Sequence, residues 1–292
     1  MRIAITGASG LIGTALSDSL RADGHEVLPV VRRPARSADE VSWDPAKGLI
    51  DVEALRGVDA VVHLAGAGVG DRRWNTRYKA EIMASRILGT QTIAQAVVDA
   101  GVPVLVSGSA IGLYGDAGDA VLTEAAGRGP GFLADVVEAW EDATRVAQEA
   151  GVRVALIRTG LVAAKTGGAF GKLLPIFRLG LGGPLGNGRA WWAAISLHDE
   201  VRAIRFLLER PLHGAFNLTA PTPVTNRAFS QALGRALRRP ALVPVPRFAL
   251  RLVVGEFADE ILASQRVVPQ RLLESGFVFD HPDAASITQT LR

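Results

Sequence analysis

One short segment near the amino end constrains this chain more than any other. Thr6-Gly7-Ala8-Ser9-Gly10-Leu11-Ile12-Gly13 separates an apolar run, Arg2–Ile5, from a helical-period stretch, Leu11–Ala22. Strand, glycine-rich turn and helix in that order are what a nucleotide pyrophosphate needs. Gly7 permits the tight turn out of the strand, Gly10 lets the backbone approach the pyrophosphate, and Gly13 lets the helix pack on the strand. The helix amino terminus adds free N–H groups and the positive end of its dipole. Ser9, Leu11 and Ile12 complete this phosphate loop, so the segment predicts dinucleotide binding.

The second strand, His25–Val31, says which dinucleotide. An NAD-binding chain usually carries Asp or Glu about 20 residues after the motif to hold the ribose hydroxyls. This chain has Val30-Val31-Arg32-Arg33-Pro34 there. A carboxylate would repel a 2′-phosphate, whereas Arg32 and Arg33 can bind one by charge-assisted hydrogen bonds. The expected cofactor is NADP(H).

Further apolar runs follow at Ala60–Leu64, Val102–Ser107, Val152–Arg158 and Ala215–Leu218, with helical segments at Trp74–Ala100, Phe132–Ala150 and His198–Glu209 between them. Continuous apolar strands alternating with helices predict a parallel sheet covered on both faces. Glycines crowd Lys165–Arg189, with a helical patch near Phe170–Leu179, and the chain beyond Pro221 is helical and Pro-punctuated, with Thr225 as an N-cap for Asn226–Arg238. The expected fold is α/β: a Rossmann-type doubly wound parallel sheet formed by 1–165, with 195–220 returning to it. A smaller, mostly helical carboxyl-terminal region, 166–194 and 221–292, is expected to bind substrate.

Composition excludes several alternatives. There is no cysteine, hence no disulfide, thiol nucleophile or Cys-ligated zinc. The histidines show no metal-ligand spacing, so no metal is expected. The formal charge is only +3, and no run of Lys or Arg forms a tail, so no nucleic-acid partner is expected. No uninterrupted apolar run is long enough to span a bilayer. Met1-Arg2 leads directly into Ile3-Ala4-Ile5, without the pattern of a signal peptide, and a cytoplasmic protein with no membrane partner is expected. Oligomeric state is not encoded in any motif.

With these residues in place, the chain resembles an extended short-chain dehydrogenase/reductase. The resemblance rests on the segment 6–13, on Val58-Asp59-Ala60-Val61-Val62-His63-Leu64-Ala65-Gly66, and on Ser107-Gly108-Ser109-Ala110-Ile111-Gly112-Leu113-Tyr114-Gly115. Smaller pieces are similar to the atypical "epimerase family protein" group: Arg73-Trp74-Asn75, Ser85-Arg86, Trp140-Glu141, Arg158-Thr159-Gly160, Phe177–Pro184 and Val268–Leu273. The resemblance implies NADP(H) contacts at Arg32, Leu64, Ala65, Glu81 and Arg86, with Gly66 and Ser107 beside them.

It also exposes a departure. The reductase mechanism uses a Tyr as acid/base, a Lys four residues later, and a Ser or Thr that orients the carbonyl. Ser109 matches the serine, with Ser107 as runner-up. If Glu141 is the glutamate that commonly follows that Lys by four, then Val137 stands at the Lys position and Leu133 at the Tyr position. Tyr114 lies upstream, either an acid/base or a packing residue. Asp116, Asp119 and Glu124 follow in the next loop. Trp191 and Trp192 either wall the substrate cleft or pack the core. The expected function is that of an NADP(H)-binding oxidoreductase or epimerase-like enzyme acting on an unidentified small molecule. The alternative is a non-catalytic NADP(H)-binding sensor or scaffold.

Overall fold

The computed structural model describes residues 1–292. Its amino-terminal half runs β1 (Arg2–Thr6), α1 (Leu11–Ala22), β2 (Glu26–Val31), β3 (Val41–Asp44), β4 (Leu49–Ile50), β5 (Ala60–His63), α2 (Thr76–Ala100), β6 (Val104–Ala110), β7 (Val121–Leu122), α3 (Phe132–Asp142), α4 (Arg145–Glu149) and β8 (Arg153–Thr159). The rest comprises β9 (Leu161–Ala163), α5 (Gly168–Arg178), β10 (Trp191–Trp192), β11 (Ala194–Ser196), α6 (Leu197–Glu209), β12 (Gly214–Leu218), β13 (Val224–Thr225), α7 (Asn226–Leu237), α8 (Arg247–Val254), α9 (Phe257–Ile261), β14 (Arg266–Val267), α10 (Gln270–Glu274) and α11 (Ala284–Gln289).

Eight strands form one sheet in the order β12-β8-β6-β5-β1-β2-β3-β4. All pair in parallel except β4, which returns antiparallel to β3 through Trp43↔Ile50. Alternation along each strand splits the core into two layers. Ile3 and Ile5 point to one face, where Leu16 and Leu20 of α1 meet Ile204 and Leu207 of α6. Ala4 and Val61 point to the other, against Ile93 and Val97 of α2 and Ala147 of α4. Strand order reverses between β1 and β5, so a crevice opens at their carboxyl ends, the place where doubly wound sheets bind ligands.

The carboxyl-terminal chain builds a separate apolar cluster from Phe170, Leu174 and Phe177 of α5, Trp192, Phe229 and Leu233 of α7, and Ile287 of α11. Two elements differ from the sequence expectation. The β3–β4 hairpin adds an edge that was not anticipated, its Val41 and Trp43 buried and Ser42 turned outward. The single helix expected over Phe132–Ala150 is two helices. At the break, the Thr144 Oγ1 donates to the Glu141 carbonyl at 2.7 Å, a side-chain bond that competes with continuation of the helix. No helix is long and apolar enough to cross a membrane.

Candidate functional site

The glycine turn occupies the crevice. Gly7 is in the left-handed region at φ +66°, and a Cβ there would stand 3.0 Å from the Leu64 carbonyl carbon. A Cβ on Gly13 would lie 2.2 Å from the Gly7 oxygen, so α1 approaches β1 this closely only with glycine. Gly10 serves as N-cap without a side-chain bond, and the first turn of α1 carries no acid. The N–H groups of Leu11, Ile12 and Gly13 therefore face the crevice end of the helix without acceptors in the chain, the condition that favours an anion. Leu11 also packs beneath Gly167 and Gly168 at the start of α5, which brings the carboxyl-terminal region over the turn.

The opposite wall is fixed by Thr6 and His63. The Thr6 Oγ1 accepts from the Leu64 and Ala65 N–H groups at 3.0 and 3.1 Å. Its own hydrogen is left for His63 Nδ1, 2.7 Å away. That assignment puts the imidazole proton on Nε2, which is buried without a partner. Burial, reinforced by the Arg86 charge, lowers the His63 pKa to about 3. These bonds hold Leu64-Ala65-Gly66 against Gly7.

Arg86 lies beside Gly66 and stacks on Trp140 at 4.9 Å. Its Nη1 donates to the Ala67 and Ile82 carbonyls at 2.9 and 3.2 Å, and no carboxylate pairs with it. Burial lowers its pKa to about 10. Glu81, in the first turns of α2, is half-exposed and lies 3.9 Å from Arg72 of the preceding loop.

Arg32 and Arg33, adjacent in sequence, differ in environment. Arg33 makes a two-pronged bond to Glu40 at 2.7 and 2.5 Å. The Arg33 side chain and the Arg36 N–H together pull the Glu40 carboxyl down to about 2. Arg32 is exposed and has no ion-pair partner. The carboxylate at the end of β2 is not local: Glu40 arrives from the following loop.

Beyond the crevice lies a buried polar chain. Ser109 Oγ donates to Glu141 Oε1 at 2.5 Å. Arg158 grips the same carboxylate through Nε at 2.8 Å and Nη2 at 2.9 Å. Arg158 Nη1 donates to the Tyr114 oxygen at 3.0 Å, and the Tyr114 hydroxyl donates to Asn217 Oδ1 at 2.7 Å. Burial opposes the Arg158 charge, but the bonds to Glu141 outweigh it and hold its pKa above the ordinary value. Burial likewise pushes the Tyr114 phenol up. Ser109 and Tyr114 are thus joined through Glu141 and Arg158, and Ser107 is wholly buried one turn of the pleat away.

Leu133 packs on Gly112 with Val137 beside it, so this face of α3 is apolar. The three loop acids have partners. Asp116 accepts from the Ser264 N–H at 3.0 Å, Asp119 from Trp191 Nε1 at 2.7 Å, and Glu124 from the Asn217 N–H at 2.9 Å. They bind the loop to the carboxyl-terminal chain. Trp192 is core, tilted on Phe229, while Trp191 carries the Arg266 guanidinium 4.3 Å above its ring.

Comparison with known proteins places this geometry. The profile described as "NAD dependent epimerase/dehydratase family" matches residues 3–218. The chain belongs to that family. A "Domain of unknown function (DUF1731)" follows at residues 245–289, which marks the epimerase family protein group of atypical short-chain dehydrogenase/reductases. Among the group's members, Epimerase family protein MT2273 of Mycobacterium tuberculosis is 47% identical over 281 residues, 96% of this chain and 93% of that one. Human Epimerase family protein SDR39U1 is 36% identical over 292 residues, 97% of each. The crystal structure of human SDR39U1 (isoform 2) with NADPH superposes with a TM-score of 0.91 at 34% identity, covering 100% of this chain and 99% of that one.

Proposed function

We propose that this family member binds NADP(H) in the crevice and transfers hydride at a carbon bearing a hydroxyl or carbonyl group of a small molecule. The reading rests on one observation above the others. An acid-free, uncapped helix terminus follows β1 and an unpaired Arg32 follows the neighbouring β2, both at the carboxyl edge of the sheet, where a pyrophosphate and a 2′-phosphate respectively would find donors. The solved human relative, crystallised with NADPH, supports it. Gly7, Gly10 and Gly13 make room for the phosphates, with Ser9, Leu11 and Ile12 contributing backbone. Leu64, Ala65, Gly66 and Arg86 line the wall along the ribose side, and Arg33 backs Arg32 from its bond with Glu40. Glu81 serves by holding the loop above this wall.

When bound, the nicotinamide supplies or accepts the hydride. The chain contributes the hydroxyl of Ser109. Because that hydroxyl donates to Glu141, its oxygen is left to accept a hydrogen bond from a substrate hydroxyl, and Glu141 is placed to take the proton that Ser109 relays. Arg158 fixes the carboxylate, and Tyr114 fixes Arg158. Tyr114 is thus a positioning residue in this reading.

The second reading, a cofactor-binding module without turnover, draws on Leu133 and Val137. One experiment separates the two. NADPH binding is titrated by nicotinamide fluorescence, and absorbance is then followed against a panel of carbonyl compounds and nucleotide sugars. Turnover that falls by about 100-fold or more in Ser109→Ala, in the range of general acid–base contributions, supports the enzyme. Tight binding without turnover on any substrate supports the module, and absence of NADPH binding defeats both.

A further inference from the structure

Positive charge is concentrated in two stretches of the carboxyl-terminal half. Lys165–Ile195 holds four Lys or Arg residues and Pro221–Gly255 holds six, and neither stretch contains a single Asp or Glu. The whole chain is only +3, so the remainder is net acidic and the molecule is electrostatically polar. Arg247 and Arg251 are answered by Asp259 at 2.7 and 2.5 Å. Arg178, Arg235, Arg238 and Arg239 are exposed and have no carboxylate partner.

Apolar side chains protrude beside these four arginines. Segment 178–184 runs beside 239–245, joined by Arg239 Nε to the Arg178 carbonyl, the Val243 N–H to Gly182, and the Val245 N–H to Pro184. This sets Leu179 (75% exposed) and Leu181 beside Leu242 (79%). Helix α8 follows at once and buries none of its residues, presenting Phe248 (75%), Leu252 (76%) and Val253 (71%). Between α7 and Leu242 lies an open cleft of about 320 Å³ lined by Arg235, Arg238 and Arg239. Arg238 holds a left-handed backbone, φ +55°, at the C-cap of α7, where glycine is usual.

We propose that this face docks the protein on an anionic lipid bilayer, the arginine cleft receiving phosphate headgroups and Phe248, Leu252 and Leu242 entering the interface. Basic residues beside protruding large apolar ones are the combination that binds such surfaces. A second copy of the chain fits less well, since a two-fold contact would set the unpaired arginines of one copy against those of the other. Nucleic acid accounts for the arginines and leaves the apolar protrusions in water.

The test is flotation of the full chain with vesicles of phosphatidylcholine alone or mixed with phosphatidylglycerol. Binding is expected to the mixed vesicles only and to weaken with salt. At roughly fivefold for each basic residue near the surface, Arg238→Glu with Arg239→Glu should weaken it by at least about tenfold. Phe248→Ser with Leu252→Ser should also abolish flotation while leaving NADPH affinity and the melting temperature unchanged, because both side chains are already in water. Equal recovery with the two vesicle types overturns the proposal. So does tighter binding to single-stranded RNA than to vesicles, or conversion of a dimer to a monomer by the Phe248 and Leu252 changes in sedimentation equilibrium.

Discussion

Arg32 and Arg33 show how one position in sequence separates two roles. Arg33 is already neutralised by Glu40, so in the proposed site the selectivity for a 2′-phosphate falls mainly to Arg32. Charge-assisted hydrogen bonds contribute about 1.5–3 kcal/mol. Arg32→Ala should therefore raise the Kd for NADPH by roughly 10- to 100-fold with little change for NADH. Glu40→Gln, which releases Arg33 and removes a negative charge, should tighten NADPH relative to NADH. Fluorescence titration of both nucleotides checks both variants, and an unchanged NADPH/NADH ratio in Arg32→Ala would sink the argument. Gly13 is constrained differently. A methyl placed 2.2 Å from the Gly7 oxygen forces α1 away from β1, so Gly13→Ala should cost about 3 kcal/mol, the upper range for overpacking, read from urea unfolding.

Between elements, the strongest constraint is the carboxylate of Glu141 on α3, held by Arg158 on β8 and Ser109 on β6. Both members of the pair are largely buried. Removing one partner of such a pair leaves the other uncompensated, so Glu141→Ala should destabilise by about 3–5 kcal/mol. Two other buried groups couple elements to pH in opposite senses. On β5, His63 has a folded pKa of about 3, below its ordinary 6.5. The unfolded chain thus takes up a proton first, and this contribution is lost as pH falls from 6.5 towards 3. On α6, Glu200 is pushed by burial to about 8, against one opposing bond from Thr159. The folded state holds that proton more tightly, so its contribution is present below pH 4.5 and lost as pH rises towards 8. Each slope is about 1.4 kcal/mol per pH unit. Between pH 4.5 and 6.5 they cancel, which predicts a stability plateau there. Glu200→Gln should remove the decline between pH 6.5 and 8, and denaturant midpoints across that range measure it.

At the scale of the molecule, the carboxyl-terminal region is joined to the sheet across the crevice mouth. Trp74 is packed between Phe132 and Phe257, with ring centroids 5.1 and 5.2 Å away. Lys79 reaches Glu256 at 2.7 Å, and Lys172 of α5 donates to the Gly70 carbonyl at 2.8 Å. The aromatic contact is the apolar part of this junction, so Phe257→Ala should uncouple the two cores. Calorimetry is expected to show one unfolding transition in the parent chain and two in the variant; a single transition in both would mean that other contacts carry the coupling. The Lys172 bond to Gly70 and the packing of Gly167 and Gly168 on Leu11 both hold the start of α5 beside the phosphate loop.

Sequence alone determined the covered parallel sheet, the glycine turn and the absence of Tyr and Lys, because each is written in local order: apolar runs, fixed spacing, residue identity. Its strands at Ala60–Leu64, Val102–Ser107 and Val152–Arg158 lie within three residues of β5, β6 and β8. Tertiary structure decided what depends on partners distant in the chain. Glu40 reaches Arg33 from beyond the strand, Asn217 meets Tyr114 from across 103 positions, and Asp119 reaches Trp191. Arg178 and Arg239 become neighbours only because segments 178–184 and 239–245 run side by side. Spacing can specify a turn or a helix, but a side chain's charge state and partner follow from what the fold places within a few ångströms of it.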